Sequence, residues 1–281
     1  MRTTKCFLLA AIVVALAFAF SSCSSDSSPT GPGGSSPSVE GGGSSGGGGS
    51  SGGGSSSSVG YVCGSIDHGG ETYETVAVES QTWLKRNLNV APGDGCGRSW
   101  CYRNDPANCA IYGRLYNWAA AMNLPNKCND NSSNPARSSY DPDCAISSPY
   151  HQGLCPVGFH IPTSAEWDAL GGAVGHRTAG KHLKAQEGWQ DCGPEGSENS
   201  YSCEDTYGFA ALPGGYYNNS YSFSGFSGAG SRGQWWSASE RDSDTYYGYA
   251  YFQSMNDDDD EISVSSHGKI HGTSVRCVKD D

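Results

Sequence analysis

Cysteine is the residue type whose number and spacing say most about the chemistry of this chain. The sequence contains twelve cysteines, and two of them, Cys6 and Cys23, lie in or directly after an apolar N-terminal stretch. The other ten are spread over the rest of the chain: Cys63, Cys96, Cys101, Cys109, Cys128, Cys144, Cys155, Cys192, Cys203 and Cys277. An even number of cysteines in an exported chain is typical of a disulfide framework, so we treat these ten as disulfide candidates.

Spacing favours two local pairs among them. Cys192 and Cys203 bracket a polar loop that a disulfide would close, and Cys128 with Cys144 could close a long polar insertion in the same way. Zinc is the competing explanation for clustered cysteines, but no CxxC motif with a second pair or a histidine partner occurs. The sequence therefore predicts structural disulfides and no zinc site.

Cys23 stands at the end of a leader-like segment. A positive start precedes a fourteen-residue apolar run, Phe7 to Phe20, which has the layout of a secretory signal and is too short to span a bilayer. The residues before Cys23 resemble a bacterial lipoprotein cleavage box, with Phe20 where Leu is usual. We predict a signal peptide over 1–22, lipidation of Cys23 and anchoring of an exported protein in the outer membrane or at the cell surface. The alternative, an ordinary signal peptide cut nearby, also exports the chain.

Composition divides the remainder into a tether and one domain. Gly and Ser fill 24 of the 28 positions from 31 to 58, so residues 23–58 are predicted to form a disordered tether. From 59 to 281 the composition is globular, without a second linker or a fixed-period repeat. The formal net charge of −12 argues against nucleic acid and anionic lipid headgroups as partners.

Tyrosines provide one candidate binding surface. If YYGYAYF is a strand, Tyr247, Tyr249 and Tyr251 share one face, and flat rings with polar tips suit stacking on sugar rings. A Gly-rich, aromatic segment contributes Tyr217 and Tyr221 to the same predicted surface. Ordinary cross-strand packing is the alternative explanation of the tyrosine stripe.

The acidic run NDDDDE is a second candidate. Its carboxylates belong to Asp257, Asp258, Asp259, Asp260 and Glu261. Carboxylates are the hard oxygen ligands that calcium prefers, but the spacing of an EF-hand loop is absent. The sequence therefore favours a solvated hairpin tip, keeps calcium as a weak alternative, and predicts no other cofactor.

Catalytic motifs are not evident. No GxSxG stands before a helix, no HExxH occurs, and the seven histidines are dispersed. His160 is expected to be a packed core residue, whereas His267 and His271 are expected to be exposed at a hairpin turn.

Three segments are predicted to position these residues. Residues 70–89 alternate at period two, which predicts two short strands or a hairpin. Residues 109–124 have apolar side chains at helical spacing, which predicts a helix that ends before Pro125. A second helix is predicted to begin at Thr163, because Thr163 and Glu166 have the spacing of a capping box. Loops and short strands follow, and the order of elements predicts an α+β domain.

Six motifs along the chain carry a family resemblance. They are QTWLKRNLN (81–89), YGRLYNWAAA (112–121), CPVGFHIPTSAEW (155–167), YGFAALPGG (207–215), WWSASE (235–240) and SVRCVKD (274–280). Their order and wording closely resemble the Fibrobacter succinogenes major paralogous domain, over nearly the whole globular part and none of the tether. That family is itself similar to the formylglycine-generating enzyme and C-type-lectin-like group, here through IPTSAEW and VRCV.

The resemblance implies a C-type-lectin-like fold. Its chain ends would pair as neighbouring strands, and two helices would pack on a twisted, mostly antiparallel sheet with a large loop-rich half. It also implies a disulfide between Cys277 and a cysteine near the second helix, for which Cys155 is the first choice. Formylglycine-generating enzymes use a close pair of redox-active cysteines late in the chain, but only Cys277 follows Cys203 here. That activity is therefore not expected.

We predict a non-enzymatic binding module at the cell envelope, attached to the membrane through its N-terminal lipid. Its expected partner is a polysaccharide or another surface protein. Two alternatives remain open. A divergent enzyme would need a deep cleft with perturbed carboxylates, whereas a purely structural envelope protein would need neither a pocket nor a ligand.

Overall fold

Strands dominate the part of the chain that the computed structural model describes. The described residues are 62–137, 139–192, 203–220, 224–241 and 248–281. The predicted signal peptide, Cys23, the tether, Tyr221, Tyr247 and the side chain of Cys63 lie outside them. No helix in the described ranges has the length and apolarity needed to cross a membrane.

Within these ranges the chain forms twelve strands and four α-helices. The strands are β1 (Val62–His68), β2 (Glu71–Val78), β3 (Gln81–Leu84), β4 (Ser99–Trp100), β5 (Leu115–Tyr116), β6 (Phe159–His160), β7 (Gly214–Asn219), β8 (Ser224–Ala229), β9 (Arg232–Glu240), β10 (Tyr249–Asn256), β11 (Ser263–Gly268) and β12 (Val278–Lys279). The helices are α1 (Pro106–Tyr112), α2 (Trp118–Ala121), α3 (Ser164–Val174) and α4 (Ala179–Leu183). One-turn 3₁₀ helices occur at Tyr102–Asn104, Asn126–Asn129 and Pro142–Cys144.

The strands form two five-stranded sheets and one small ribbon. The first sheet has the order β1-β2-β3-β12-β6 and is antiparallel throughout. The second has the order β11-β10-β9-β7-β8, in which only the β7–β9 pair is parallel. Strands β4 and β5 pair separately. The predicted hairpin within 70–89 is confirmed as β2 and β3, whereas the C-terminal strand β12 lies between β3 and β6 and does not neighbour β1. The expected pairing of the chain ends is therefore wrong.

The predicted helix over 109–124 is also wrong, and backbone geometry explains why. Helix α1 ends at Gly113, whose φ of 74° is left-handed, and a Cβ there would lie 2.7 Å from the Leu88 carbonyl oxygen. The chain then forms β5 before α2 begins after Asn117. As a result Ile111, one of the apolar residues at helical spacing, is exposed. The domain is consequently more β than the α+β class predicted from the sequence.

The second predicted helix is confirmed as α3. The Thr163 hydroxyl accepts a hydrogen bond from the Glu166 amide, and the Glu166 carboxylate accepts one from the Thr163 amide, which completes the capping box. Trp167, Leu170 and Val174 are buried along one side of the helix. Local capping and a single apolar stripe therefore suffice to specify this element.

Two large hydrophobic clusters and a small third one around Cys128 and Cys144 form the described core, and both sheets contribute to both large clusters. Leu84, Trp236 and Cys277 belong to the first cluster. Their chain neighbours Trp83, Trp235 and Val278 belong to the second. Because adjacent strand residues point to opposite faces, this alternation means that the central strands are covered on both sides.

Four disulfides join described segments. They are Cys101–Cys109, Cys128–Cys144, Cys155–Cys277 and Cys192–Cys203. The last three are the pairs that spacing and the family resemblance favoured, and Cys96 is disulfide-bonded as well. Cys128–Cys144 closes the polar insertion, and Cys155–Cys277 ties the segment before α3 to the last strand.

Candidate functional site

A groove of about 430 Å³ lies where the disulfide-closed insertion meets the second sheet. The lining residues are Ser133, Asn134, Ile146, Ser147, Ser148, Pro149, Thr163, Ala238, Ser239 and Glu240. Most of these residues carry hydroxyl, amide or carboxylate groups, and polar and apolar atoms share the exposed lining about equally. Such a lining can exchange hydrogen bonds with a ligand in both directions, because a hydroxyl is a donor and an acceptor.

Strand β9 and helix α3 position one wall of the groove. Between the pairs Ala250–Glu240 and Phe252–Trp236 the register shifts, so residues 237–239 of β9 bulge opposite Tyr251. The Ser239 hydroxyl accepts a hydrogen bond from the Ser164 amide at 3.1 Å. The first turn of α3 is thereby attached to the bulge, and the hydroxyl groups of both elements are held at the groove.

Glu240 closes one end, and its carboxylate is held by three donors. The Ser132 hydroxyl donates to it at 3.1 Å, and the Ser133 amide donates to its two oxygens at 3.2 and 3.1 Å. The third donor is the ammonium of Lys269. These contacts link the insertion to strand β9 of the second sheet.

Lys269 is the buried cation that pairs with Glu240. Its side chain is 1% exposed, its ammonium donates to the Asn131 carbonyl at 2.8 Å, and it lies 4.1 Å from the centre of the Trp118 ring. Burial lowers the pKa of Lys269, and the adjacent Glu240 carboxylate acts in the opposite direction. Lys269 and Glu240 therefore form a buried ion pair whose acidic member faces the groove.

Tyrosines lie next to groove-lining segments along the chain or across the sheet, but none is among the described residues that line the groove. Tyr150 follows the lining segment directly and is 46% exposed. Tyr249 and Tyr251 are half-buried on one face of β10, and Tyr251 lies opposite the β9 bulge that contains Ser239. The Tyr217 ring stacks on Trp100 at 4.4 Å and lies 4.9 Å from Phe226.

The acidic run forms the turn between β10 and β11 and docks on α4. The buried Lys184 ammonium donates to the carbonyl of Asp259, and the Gly180 amide donates to that of Asp260 at 2.8 Å. Asp257 is buried, so the run is not the fully solvated tip expected from the sequence. In the described part of the chain, no three His, Cys, Asp or Glu side chains are grouped so that they could hold a metal ion.

The histidines at the β11 end are not exposed, contrary to expectation. The His267 ring lies 4.6 Å from Trp236 and 4.3 Å from Phe252, and burial lowers its pKa to about 3. His271 accepts a hydrogen bond from the Asn219 amide at 3.0 Å. Both rings are packing groups that the local sequence, rich in Gly and Lys, does not reveal.

His160 is buried, as expected, and it is also paired. Its two ring nitrogens each lie 2.7 Å from a carboxylate oxygen, one from Glu166 and one from Asp280. Burial alone would lower the pKa of His160, but these two carboxylates outweigh it and raise the pKa above 6.5. Burial likewise opposes ionisation of Glu166, yet hydrogen bonds from His160 and Thr163 lower its pKa below 4.5. The cluster therefore joins the cap of α3 to the C-terminus.

This cluster predicts a pH-dependent contribution to stability. Because the pKa of His160 is raised on folding, protonated His160 stabilises the folded state below pH 6.5, and this contribution is lost as the pH rises through the folded pKa. Because the pKa of Glu166 is lowered, its contribution is present above pH 4.5 and is lost as the pH falls through the folded pKa. His160→Gln should therefore destabilise most between those two values and less at pH 9. Urea unfolding across this range measures the effect. His176→Gln, at a 55% exposed side chain, is the control and should change stability little at any pH, and a flat profile for His160→Gln would contradict the assignment.

Several residues of the candidate site escape sequence reasoning. Glu240 is the last residue of β9 and Ser133 lies in a polar insertion about a hundred residues earlier, so nothing local connects them. Tyr150 is preceded by Ser-Ser-Pro and resembles an isolated surface tyrosine. The one available signal is that WWSASE ends in a carboxylate four residues after its second tryptophan.

These features define a mostly β domain that is stapled by disulfides and carries a groove beside a capped helix. The model of the Fibrobacter succinogenes major domain family (Fib_succ_major) matches residues 76–279, which is well over half of the chain. The chain therefore belongs to the Fibrobacter succinogenes major domain family, as its six motifs predicted. No curated protein and no solved structure matches it.

Proposed function

We propose that this domain binds a polysaccharide, without catalysis, in the groove between the insertion and β9. The observation that carries the proposal is a lining rich in hydroxyl groups, with Tyr150 directly after a lining segment and Tyr251 opposite the β9 bulge. Sugar rings offer apolar faces to aromatic side chains and hydroxyl groups to polar ones, and a groove with both kinds of group suits them.

Hydrogen-bonding capacity at the groove supports this proposal. The hydroxyls of Ser148 and Ser239 each accept a backbone hydrogen bond, from Tyr150 and Ser164, and therefore keep their own protons for a further acceptor. The Glu240 carboxylate receives four hydrogen-bond contacts from three donors, so a ligand hydroxyl at this end would share or replace one of them. The lining thus offers both donors and acceptors.

A binding role is favoured over hydrolysis by the number of carboxylates. Glycoside hydrolysis ordinarily requires two carboxylic acids that face each other across the scissile bond. Glu240 is the one acidic residue among the described residues that line the groove, and its charge is paired with Lys269. We accordingly propose a module that holds its ligand and leaves it unchanged.

The likeness to the C-type-lectin-like group belongs to this proposal. It is supported by the antiparallel C-terminal strand β12 beside β6 and by the disulfide from Cys155 to Cys277. We also propose display at the cell envelope, where lipidation of Cys23 and the Ser/Gly-rich segment would hold the domain at a distance from the membrane. The leader-like sequence and the disulfides support export.

Two tyrosine substitutions test the groove. Tyr150→Ala and Tyr251→Ala should each weaken binding to a neutral polysaccharide about tenfold, roughly 1.4 kcal/mol, which is within the range for one aromatic contact. Depletion of the full chain from solution by a panel of insoluble glucan, mannan and xylan measures the affinity.

Tyr140→Ala is the matched control, because Tyr140 is a 36% exposed tyrosine of the same insertion that neither follows a lining residue nor lies opposite the β9 bulge. It should bind like the wild type. Equal retention of all three variants would show that the groove is not the binding site, and no retention of the wild type would refute polysaccharide binding.

A further inference from the structure

The charge of Glu240 is compensated by the buried Lys269 ammonium, which is not among the residues that line the groove. Its side chain is 12% exposed, and the Lys269 ammonium that donates to it is 1% exposed. The carboxylate therefore contacts the groove while its counter-ion does not. A ligand meets an oxygen acceptor at this end and cannot reach the buried cation.

An anionic ligand is disfavoured by this arrangement. An anionic sugar would bring its carboxylate towards the oxygens of Glu240, and like charges in contact repel. Uncharged hydroxyls, by contrast, can donate to Glu240 and exchange hydrogen bonds with the serine hydroxyls nearby.

The buried pair also explains how the carboxylate is kept in place. Lys269 is fixed by the Asn131 carbonyl and by the Trp118 ring, and the insertion that carries Asn131 is closed by the disulfide between Cys128 and Cys144. Because its partner is rigidly held, Glu240 is pre-organised and does not have to be ordered by a ligand.

We infer that the groove selects neutral polysaccharides over anionic ones, and that the Glu240 carboxylate, held by the buried Lys269, sets this selectivity. The inference rests on the proposed function, because it concerns the same groove. In this arrangement Glu240 is a specificity-determining residue that contacts the ligand, whereas Lys269 positions it and stays out of reach of the ligand.

The direct test compares the full-length wild type with Glu240→Gln on two soluble probes, a neutral β-glucan and polygalacturonate, at pH 6. The wild type should bind the neutral probe at least tenfold more tightly than polygalacturonate. Glu240→Gln keeps the shape of the side chain but removes the negative charge that faces the groove, so the ratio of the two affinities should fall at least tenfold. The ratio is the readout, because the substitution also changes an acceptor that contacts the ligand.

Ser132→Ala is the matched control, because it removes one hydrogen bond to Glu240 and keeps the ion pair. It should show no gain for polygalacturonate. A measurement that needs no variant accompanies these, since binding of the neutral probe by the wild type should be insensitive to salt between about 0.05 and 0.5 M.

The possible results distinguish a failure of the selectivity from a failure of the proposed polysaccharide binding. Wild-type binding of polygalacturonate as tight as that of the neutral probe, or strong weakening of neutral binding by salt, would overturn the selectivity and leave polysaccharide binding intact. An unchanged preference in a folded Glu240→Gln variant would remove the ion pair as its cause. Failure of the wild type to bind either probe would overturn the proposed function and this inference together.

Discussion

Loss of the Cys155–Cys277 disulfide is expected to destabilise the domain by about 5 kcal/mol. The bond joins residues separated by 122 positions, and on the chain-entropy model a loop of that length restricts the unfolded chain strongly. Both cysteines are buried in the first hydrophobic cluster, beside residues such as Trp236. The double variant Cys155→Ala/Cys277→Ala should therefore show a greatly lowered urea midpoint.

The Cys101–Cys109 bond provides the comparison. It spans only 8 positions around α1, so Cys101→Ala/Cys109→Ala should lose about 2.5 kcal/mol on the same model. A larger loss from the short loop than from the long one would contradict the account, because it would show that restriction of the unfolded chain is not the dominant contribution.

The second large effect is expected at Arg276. Its guanidinium is fully buried and donates to the main-chain carbonyls of Lys85 and Phe209, both at 2.7 Å, and to the Asn87 side chain at 2.9 Å. Burial without a bonded carboxylate lowers the pKa of Arg276 to about 9. Arg276→Met should cost about 3 to 5 kcal/mol in the free energy of unfolding, because it leaves these buried acceptors without donors.

Arg86→Met is the control for this variant. Arg86 forms a salt bridge with Glu71 at 3.0 Å, but both side chains are partly exposed, so its loss should cost at most about 1 kcal/mol. Chemical denaturation at pH 7 measures both variants. If Arg276→Met were no more destabilising than Arg86→Met, the guanidinium would not be the link between β3 and the 209–210 segment that we describe.

Local signals explain which parts of the fold are predictable from the sequence. The cap at Thr163 and the alternation of β2 are encoded within ten residues, and both appear where the sequence places them. The predicted helix over 109–124 does not form, because its apolar residues belong to three separate elements, α1, β5 and α2. Only the close tertiary contact at Gly113 shows where the helix breaks. Cys101 and Cys109 were not a favoured pair, since their spacing does not show that α1 would turn them together.

The candidate site is harder to predict because its parts are distant in the sequence. Glu240, Lys269 and Asn131 meet through the packing of the insertion on the second sheet, and each looks like an ordinary surface residue in the sequence. The tyrosine stripe follows from period-two alternation, so Tyr249 and Tyr251 could be assigned to one face. The position of Tyr150 beside the groove depends on the closure of the insertion, which no local pattern encodes.

A crystal structure of the chain with a neutral oligosaccharide tests the central claim most directly. We predict density for a sugar ring in the groove, with its hydroxyls bonded to Glu240 and Ser239 and with Tyr150 beside it. An oligosaccharide bound instead at the Trp100–Tyr217 stack, with the groove filled only by water, would contradict the account.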